Sequence, residues 1–435
     1  MRKSSFASRT DSQHTPYSVA RSGFSWPLSI PNPIPHRIRR KLRSRIRSRQ
    51  SPASNNFTHL QTSYDPRDTL RSLAEHKWSF YDGQYLILAI LGIFSLCIIP
   101  SPGPLAKTAI STLIITALIL PVTRQFLLPS LAIWMWLVFF YACGFIPSTW
   151  RPPIWVRVLP SLENIFYGAN LSNILSAHKS TFLSVMAWLP YGIIHFGAPV
   201  VCSGIMFIFS APGTVPMFAK SFGWMNLIGV AIQLTFPCSP PWYENMYGLV
   251  PANYTIKGSP AGLAAIDELF GIALYTPGFT GSPMVFGAFP SLHAGSAVME
   301  SLFMSHVFPR LTPVFMVYTL WLWWATMYLS HHYAVDLVGG SLLSGVIFFV
   351  VKSKFLPRQQ LDKMFRWDYD YAEVGEDPSE KGYALAGVDI SSDDAEEWTI
   401  GSSSSISSGS RSPIDETSCW EGETLASPTD TEAQR

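Results

Sequence analysis

Two histidines and an aspartate have the types and the spacing for chemistry on a phosphate ester. His332 and Asp336 are four residues apart, so on a helix they share one face about one turn apart. The carboxylate can accept a hydrogen bond from one ring nitrogen of His332, which leaves the other nitrogen free as a nucleophile. His293 lies earlier in the chain, and a histidine that titrates near neutral pH suits a general acid. The three side chains predict phosphoryl or phosphodiester transfer through a histidine-bound intermediate.

The turn before His293 predicts a place for the phosphate. Pro290 and Ser291 can cap the start of a helix, whose first backbone N–H groups bind anionic oxygens. The Ser291 hydroxyl adds a further donor. An HxxxD pattern alone is weak evidence, but its combination with the PSLH motif at 290–293 is fairly specific.

Composition places these residues in a membrane protein. Only 14% of the 435 residues are charged and 48% are hydrophobic, whereas a soluble domain has about 25% charged residues. Residues 78–360 contain only seven acidic side chains. Because an ionisable group at membrane depth is costly, those that persist there are functional candidates, and Asp336 is one of them.

The apolar stretches predict an all-α polytopic membrane protein with about eight transmembrane helices. Several stretches approach the roughly 20 residues that a membrane helix requires. Three are short or interrupted, so six or seven spans remain open. The stretches are 84–100, 105–122, 126–146, 182–209, 219–236, 289–308, 312–330 and 335–352.

Charge outside these stretches predicts the domain organisation and the orientation. A run of eight basic side chains at 37–49 indicates a cytosolic segment that also touches anionic lipid, rather than a nucleic-acid site. With eight spans, both termini are cytosolic, and His293 and His332 lie at the same lumenal face. The predicted regions are a disordered basic N-terminal region (1–77), a transmembrane catalytic domain (78–358) and a disordered acidic, Ser-rich tail (359–435).

The two motifs resemble those of the phosphatidic acid phosphatase type 2 superfamily, whose second and third motifs read PSGH and SRxxxxxHxxxD. Over a wider window, about residues 78–358, the chain is similar to the fungal inositol phosphorylceramide synthase family, also known as the aureobasidin A resistance proteins. The resemblance implies a helical core like that of the superfamily. It rests on RPP at 151–153, LPSLEN at 159–164, PCSPPWY at 237–243, KGSPAGL at 257–263, GAFPSLH at 287–293 and residues 323–336.

This resemblance implies a specific reaction. Members of the family transfer phosphoinositol from phosphatidylinositol to the primary hydroxyl of ceramide and release diacylglycerol, in the Golgi membrane with the active site facing the lumen. By motif, His332 would be the nucleophile, Asp336 its orienting acid and His293 the acid that protonates diacylglycerol. The family also implies a regulatory membrane subunit, and it implies that no metal or other cofactor is needed.

The chain departs from the superfamily pattern in its positive charge. The first motif, KxxxxxxRP, is not recognisable, and Ala325 and Thr326 stand where the third motif has Ser-Arg. Ala265 likewise stands where the family implies a basic residue after Gly-Leu-Ala. These changes bear on the choice of substrate more than on the reaction type.

Four other residues are candidates for substrate contacts. Lys257, Arg151 and His331 are the nearest candidates to supply the missing positive charge, although His331 fits a supporting role better than a catalytic one. Asp267 could bind inositol hydroxyls, with a helix-start or loop carboxylate as an equal alternative. His195, inside the fourth apolar stretch, fits a helix-packing hydrogen bond better than a substrate contact.

Two other functions remain open. A lipid phosphate phosphatase would keep the same chemistry and use water as the acceptor, but a phosphomonoester dianion needs more positive charge than a diester. A paralogue that has lost catalysis and only binds lipid would explain Ala265 and Ala325. Against it, all three residues of the catalytic set are present.

Overall fold

The structure is a computed structural model that describes residues 60–360, 362–369, 372 and 374. Within these residues the chain forms α-helices, short 3₁₀ helices and one π-helical segment, and only isolated β-bridges connect the loops. The prediction of an all-α protein is therefore confirmed.

Each of the eight apolar stretches forms a helix, and shorter helices lie in the connections. In the stretch 182–209, two α-helices are joined by the π-helical segment Leu189–Ile194 and run on as one. In the described part of the chain the α-helices are α1 (Pro66–Glu75), α2 (Gly83–Ile98), α3 (Pro104–Ile119), α4 (Pro121–Cys143), α5 (Val158–Tyr167), α6 (Leu171–Ala177), α7 (Thr181–Trp188), α8 (His195–Phe209), α9 (Thr214–Thr235), α10 (Pro241–Tyr247), α11 (Ala264–Phe270), α12 (Tyr275–Thr280), α13 (Leu292–Val307), α14 (Thr312–Tyr328) and α15 (Ala334–Lys354).

Five helical segments are long and apolar enough to cross a membrane, namely Phe80–Ile98, α4, Thr181–Phe209, α9 and α15. The other three helices in the predicted stretches, α3, α13 and α14, have 16, 16 and 17 residues. At about 1.5 Å per residue they are shorter than a hydrocarbon core of about 30 Å. The chain is thus a multi-pass membrane protein, and the count of eight spans stays a prediction.

Helix α13 forms the centre of the bundle. It contacts α8, α9, α14 and α15, and most of its side chains are buried. Outer helices such as α2 and α3 expose leucine and isoleucine side chains instead. Apolar side chains on the outside and polar groups inside are what a lipid environment selects.

Both sequence motifs meet at one end of this bundle. Helices α13 and α15 begin there and α14 ends there. The backbone N–H of Ser291 donates to the carbonyl of Asp336 at 3.0 Å and connects the two helix starts. The connection 329–333 between α14 and α15 is therefore held against the start of α13. This placement agrees with the prediction that the two motifs share one face of the membrane domain.

Gly340 allows α15 to pack directly on the start of α13. A Cβ atom added at Gly340 would overlap the backbone carbonyl of Ser291 and lie 3.2 Å from the N–H of Gly295. Gly340→Ala is therefore expected to push the two helices apart and to destabilise the protein by about 1–3 kcal/mol. The melting temperature in detergent should fall, whereas Gly345→Ala on the same helix, with nothing within 4 Å of the added atom, should leave it unchanged. Equal melting temperatures for the two variants would contradict this account of the contact.

The described residues extend past both predicted domain boundaries. Helix α1 lies inside the region 1–77 that was predicted to be disordered, and its start has a physical cause. Asp65 accepts a hydrogen bond from the first turn, and Pro66 occupies the first helical position, where proline is favoured. Beyond residue 358, Tyr369 is buried and its hydroxyl donates to Gln359. Residues 1–59, 361, 370, 371, 373 and 375–435 lie outside the described residues.

Candidate active site

The structure brings His293, His332 and Asp336 into one hydrogen-bonded chain. Nδ1 of His332 lies 3.2 Å from Oδ2 of Asp336, and Nε2 of His332 lies 3.1 Å from Nδ1 of His293. His332 is 6% exposed and Asp336 is fully buried. Because a carboxylate only accepts, Nδ1 of His332 carries the proton and its Nε2 is left as the acceptor.

Ser291 starts the helix that carries His293. Its hydroxyl oxygen accepts a hydrogen bond from the backbone N–H of Ala294 at 3.3 Å, which is the N-cap arrangement that the sequence predicts. Among the described residues, none accepts a hydrogen bond from the backbone N–H of Leu292 or of His293. These two first-turn donors, at the positive end of the helix dipole, are therefore available to an anion.

Aromatic rings pack against His293 and His331. Tyr191, in the π-helical segment, stacks on His293 at 4.6 Å between ring centroids and on His331 at 5.3 Å. Phe279 also stacks on His331, at 4.6 Å between ring centroids. Sequence reasoning did not identify Tyr191. The π-helical segment that presents it is a frequent feature of functional sites, but it has no sequence pattern of its own.

His195 also belongs to this cluster. Its ring lies 4.7 Å from the ring of His293, and its buried Nδ1 has no hydrogen-bond partner among the described residues. The helix-packing hydrogen bond predicted for His195 is therefore not made through Nδ1. The sequence marked His195 only as a histidine inside an apolar stretch, and the structure places its ring beside the ring of His293.

His331 is a buried, neutral support rather than a source of positive charge. Its Nε2 lies 3.2 Å from the carbonyl oxygen of Pro260, to which it donates. Burial lowers the pKa of His331 to about 3, and the neighbouring His332 adds to the effect. At neutral pH the ring is therefore uncharged, and the predicted role of supplying the missing cation does not fit its surroundings.

Arg151 and Lys257 are not part of the histidine cluster. Nε of Arg151 donates to the carbonyl of Ile146 at 3.1 Å, Nη2 donates to the carbonyl of Cys143, and the guanidinium lies 5.0 Å from the ring of Tyr254. Arg151 thereby satisfies carbonyl groups at the end of α4 and lines a separate cavity of about 390 Å³. Lys257 is exposed on its loop.

Asp267 caps a short helix. Its two carboxylate oxygens accept hydrogen bonds from the backbone N–H groups of Leu274, Tyr275 and Thr276 and from the Thr276 hydroxyl. Burial raises the pKa of Asp267, but these hydrogen bonds outweigh it, so that the pKa lies below its usual value. Of the two roles considered from the sequence, the helix-start carboxylate matches the structure, because its oxygens are already engaged by the protein.

The three positions at which the chain departs from the superfamily and family patterns lie in different environments. Ala325 is fully buried in an apolar cluster with Leu322 and Leu329. Thr326 is also buried, and its carbonyl accepts hydrogen bonds from the backbone N–H groups of His331 and His332. Ala265 is exposed on α11. Among the described residues, no lysine or arginine contacts the three predicted catalytic side chains.

The arrangement suits nucleophilic attack on phosphorus. The His332 ring is oriented by the Asp336 carboxylate, and Nδ1 of His293 lies close enough to Nε2 of His332 to exchange a proton. Two backbone N–H groups without an acceptor among the described residues lie at the adjacent start of α13. In the described part of the chain, no group of three or more His, Cys, Asp or Glu side chains is arranged to hold a metal ion.

Comparisons with known proteins agree with this chemistry. Residues 154–350 match the PAP2 superfamily. The chain is 54% identical over 322 residues to the inositol phosphorylceramide synthase catalytic subunit aur1 of Schizosaccharomyces pombe, which covers 74% of this chain and 76% of that protein. It is 44% identical over 316 residues to the inositol phosphorylceramide synthase of Candida albicans (73% of this chain, 66% of that protein). It is 43% identical over 325 residues to the inositol phosphorylceramide synthase catalytic subunit AUR1 of Saccharomyces cerevisiae (74% and 81%).

No solved structure matches the chain. The matched family region contains His293, His332 and Asp336, and the similarity to the three relatives extends over about three quarters of the chain. The resemblance predicted from the two motifs is therefore confirmed, and the chain belongs to the inositol phosphorylceramide synthase family within the PAP2 superfamily.

Proposed function

We propose that this chain is a phosphotransferase that moves phosphoinositol from phosphatidylinositol to the primary hydroxyl of ceramide and releases diacylglycerol, a step of sphingolipid synthesis. The observation that carries the proposal is the hydrogen-bonded chain from Asp336 through His332 to His293. It occurs in a member of a family whose relatives are named inositol phosphorylceramide synthases.

In the first half of the reaction, Nε2 of His332 attacks the phosphorus of phosphatidylinositol. A P–N bond forms, the P–O bond to diacylglycerol breaks, and the departing oxygen takes a proton from protonated His293. Asp336 holds the proton on Nδ1 of His332 and stabilises the positive charge that the ring develops. The products are diacylglycerol and a phosphoinositol group on His332.

In the second half, ceramide takes the phosphoinositol group. His293, now neutral, removes the proton from the primary hydroxyl of ceramide, and the hydroxyl oxygen attacks phosphorus. The P–N bond breaks, His332 returns to its neutral form, and His293 is protonated again. The burial of His332 and Asp336 supports this route, because a site that excludes water favours the lipid acceptor over hydrolysis.

The phosphate of a diester carries one negative charge, and we propose that the start of α13 binds it. Ser291 caps this helix, and the free N–H groups of Leu292 and His293 can donate to phosphate oxygens. We assign no phosphate contact to Arg151, His331 and Asp267, which are engaged by the protein, or to the exposed Lys257. Among the described residues no lysine or arginine contacts the histidines, which supports a diester substrate over a monoester dianion.

We further infer that the enzyme works in the Golgi membrane, with both termini in the cytosol and the histidine cluster at the lumenal face. The basic run at 37–49 supports a cytosolic N-terminus. A regulatory membrane subunit is also proposed, because two relatives are named catalytic subunits.

The test uses purified protein in liposomes that contain phosphatidylinositol and a fluorescent ceramide, without added metal. We expect a fluorescent lipid that carries both inositol and phosphate, together with an equal amount of diacylglycerol. If phosphate is released from phosphatidate and no such lipid forms, the protein is a lipid phosphate phosphatase instead. If well-folded protein makes neither product, the paralogue without catalysis is the better description.

A further inference from the structure

A buried glutamate from a distant segment lies at the start of the helix that carries Asp336. Glu163, on α5, is fully buried. Its Oε1 accepts a hydrogen bond from the backbone N–H of Ala334 at 3.2 Å, and its Oε2 accepts one from the N–H of Val335 at 3.1 Å. These are the first two residues of α15, and they lie 171 and 172 positions further along the chain. Both oxygens of one carboxylate are thus used on one helix end.

This contact decides where a phosphate can bind. The start of a helix attracts anions because its first N–H groups are free and its dipole is positive there. At α15 a carboxylate of the protein already occupies that position, whereas at α13 the N–H groups of Leu292 and His293 have no acceptor among the described residues. The start of α15 is therefore held in place by the protein, and the start of α13 is the one that can bind the phosphate of the substrate.

The held helix start carries the reacting pair. Asp336 directly follows Val335, and His332 lies two residues before Ala334, so a shift of this turn would move both side chains. A second glutamate, Glu244, holds Tyr333, the residue that follows His332 and precedes the first residue of α15. Glu244 accepts hydrogen bonds from the Tyr333 hydroxyl and from the side-chain amide of Asn170, each at 2.9 Å.

We propose that Glu163 is a positioning residue, which fixes the first turn of α15 so that the Asp336 carboxylate meets Nδ1 of His332. This inference rests on the proposed function only in that the pair is taken to be catalytic. Burial raises the pKa of Glu163, and the hydrogen bonds from Val335 and Ala334 oppose that rise. The ionised form fits the geometry, because both oxygens accept hydrogen bonds.

A glutamine at position 163 keeps the size of the side chain but can accept only one of the two hydrogen bonds from Ala334 and Val335. In Glu163→Gln one oxygen still accepts, but the amide N–H₂ group meets a backbone N–H and repels it. We expect kcat to fall about 10- to 100-fold, with KM for both lipids within about twofold of the wild type. Glu163→Asp keeps both acceptors and the charge, so it should recover at least part of the loss in kcat.

The matched control is Asp82→Asn, which removes a different carboxylate cap. Asp82 accepts hydrogen bonds from the backbone N–H and the hydroxyl of Ser79. Asp82 directly precedes α2 and lies near the far end of α15, where the neighbouring Tyr81 contacts Phe355 edge-on. Asp82→Asn should lower the melting temperature in detergent about as much as Glu163→Gln does, and it should leave kcat near the wild-type value.

A double-mutant cycle separates positioning from simple loss of stability. If Glu163 acts through Asp336, then Glu163→Gln should change kcat by less than about threefold once Asp336→Asn is present. Full additivity of the two losses would overturn the proposal, and so would a wild-type kcat in Glu163→Gln. A kcat for Asp82→Asn as low as that for Glu163→Gln would also overturn it. The cycle compares variants only, so it can be measured on whichever phospholipid the wild type cleaves, even if the wild type makes no inositol phosphorylceramide.

Discussion

Replacement of His332 with alanine is expected to abolish transfer of phosphoinositol to ceramide, with a loss of about 10⁴-fold or more. The side chain offers its Nε2 as the nucleophile, since its Nδ1 is held by Asp336. No other nucleophile in the cluster is oriented in this way among the described residues, because His331 donates to a backbone carbonyl and lies between two aromatic rings. The loss is therefore chemical and does not require unfolding.

The measurement compares the wild type with His332→Ala in the same liposomes. Ceramide-dependent product and diacylglycerol are quantified, and labelled phosphatidylinositol without ceramide is used to trap the phosphoinositol group on the protein. The matched control is His306→Ala, at the other end of α13, where His306 contacts the carbonyl of Pro357. This control should keep near-normal turnover.

Two results would remove His332 from the role of nucleophile. One is an alanine variant that turns over within about tenfold of the wild type. The other is a trapped phosphoinositol group that still forms on the protein when His332 is alanine. Insertion and folding are checked by helical content and by a single peak in size-exclusion chromatography, so that a misfolded variant is not counted as support.

The local part of the site could be predicted from the sequence because it depends on neighbouring residues. His332 and Asp336 are only four residues apart, so their contact could be predicted, although His332 lies in the connection before α15, whose N-cap is Tyr333, and not on the helix as expected. Ser291 caps α13 because a serine before a helix start finds a backbone N–H within reach. Apolar stretches of suitable length likewise predicted a helix in each of eight places, but they could not decide how many of these helices cross the membrane. Three of them are shorter than a hydrocarbon core requires.

The residues that support the site could not be predicted, because packing brings them from other parts of the chain. Glu163 reaches Ala334 across 171 positions, and no local pattern connects them. Tyr191 reaches His293 from a different helix, through a π-helical segment that the sequence does not mark. Two signals marked Glu163 without giving its role: it is one of only seven acidic side chains in residues 78–360, and it lies in the LPSLEN segment.

The predicted sources of positive charge were chosen by their types, and the structure shows why this was insufficient. Arg151 lies near a helix end with unsatisfied carbonyl groups and is used there. His331 is buried between aromatic rings, which disfavours its charged form. A cation binds a phosphate only if its surroundings leave it charged and free, and neither condition can be read from one sequence.

A second large loss of activity is expected when His293 is replaced, because its Nδ1 lies 3.1 Å from Nε2 of His332. With phosphatidylinositol as donor, His293→Gln is expected to slow transfer by about 10²- to 10⁴-fold, because diacylglycerol would depart as an unprotonated alkoxide. Glutamine retains a polar side chain but cannot give up or take a proton. The nucleophile, its carboxylate partner and the backbone donors at the start of α13 all remain in place.

A donor with an acidic leaving group distinguishes His293 from His332. In a phosphoinositol ester of a nitrophenol, the phenolate departs without a proton, so His293→Gln should release it nearly as fast as the wild type does. The release should stop after about one equivalent, because no base remains to activate the hydroxyl of ceramide and the phosphoinositol group stays on His332. His332→Ala should show no such burst.

These outcomes assign the proton transfers to one side chain. If His293→Gln turns the nitrophenyl donor over continuously in the presence of ceramide, another group is the base of the second step. His195, 4.7 Å from the ring of His293, would then be the first to examine. If His293→Gln is as slow with the nitrophenyl donor as with phosphatidylinositol, His293 is needed to place His332 or the phosphate rather than to protonate the leaving group. A single burst that never proceeds to product identifies His293 as the acid of the first step and the base of the second.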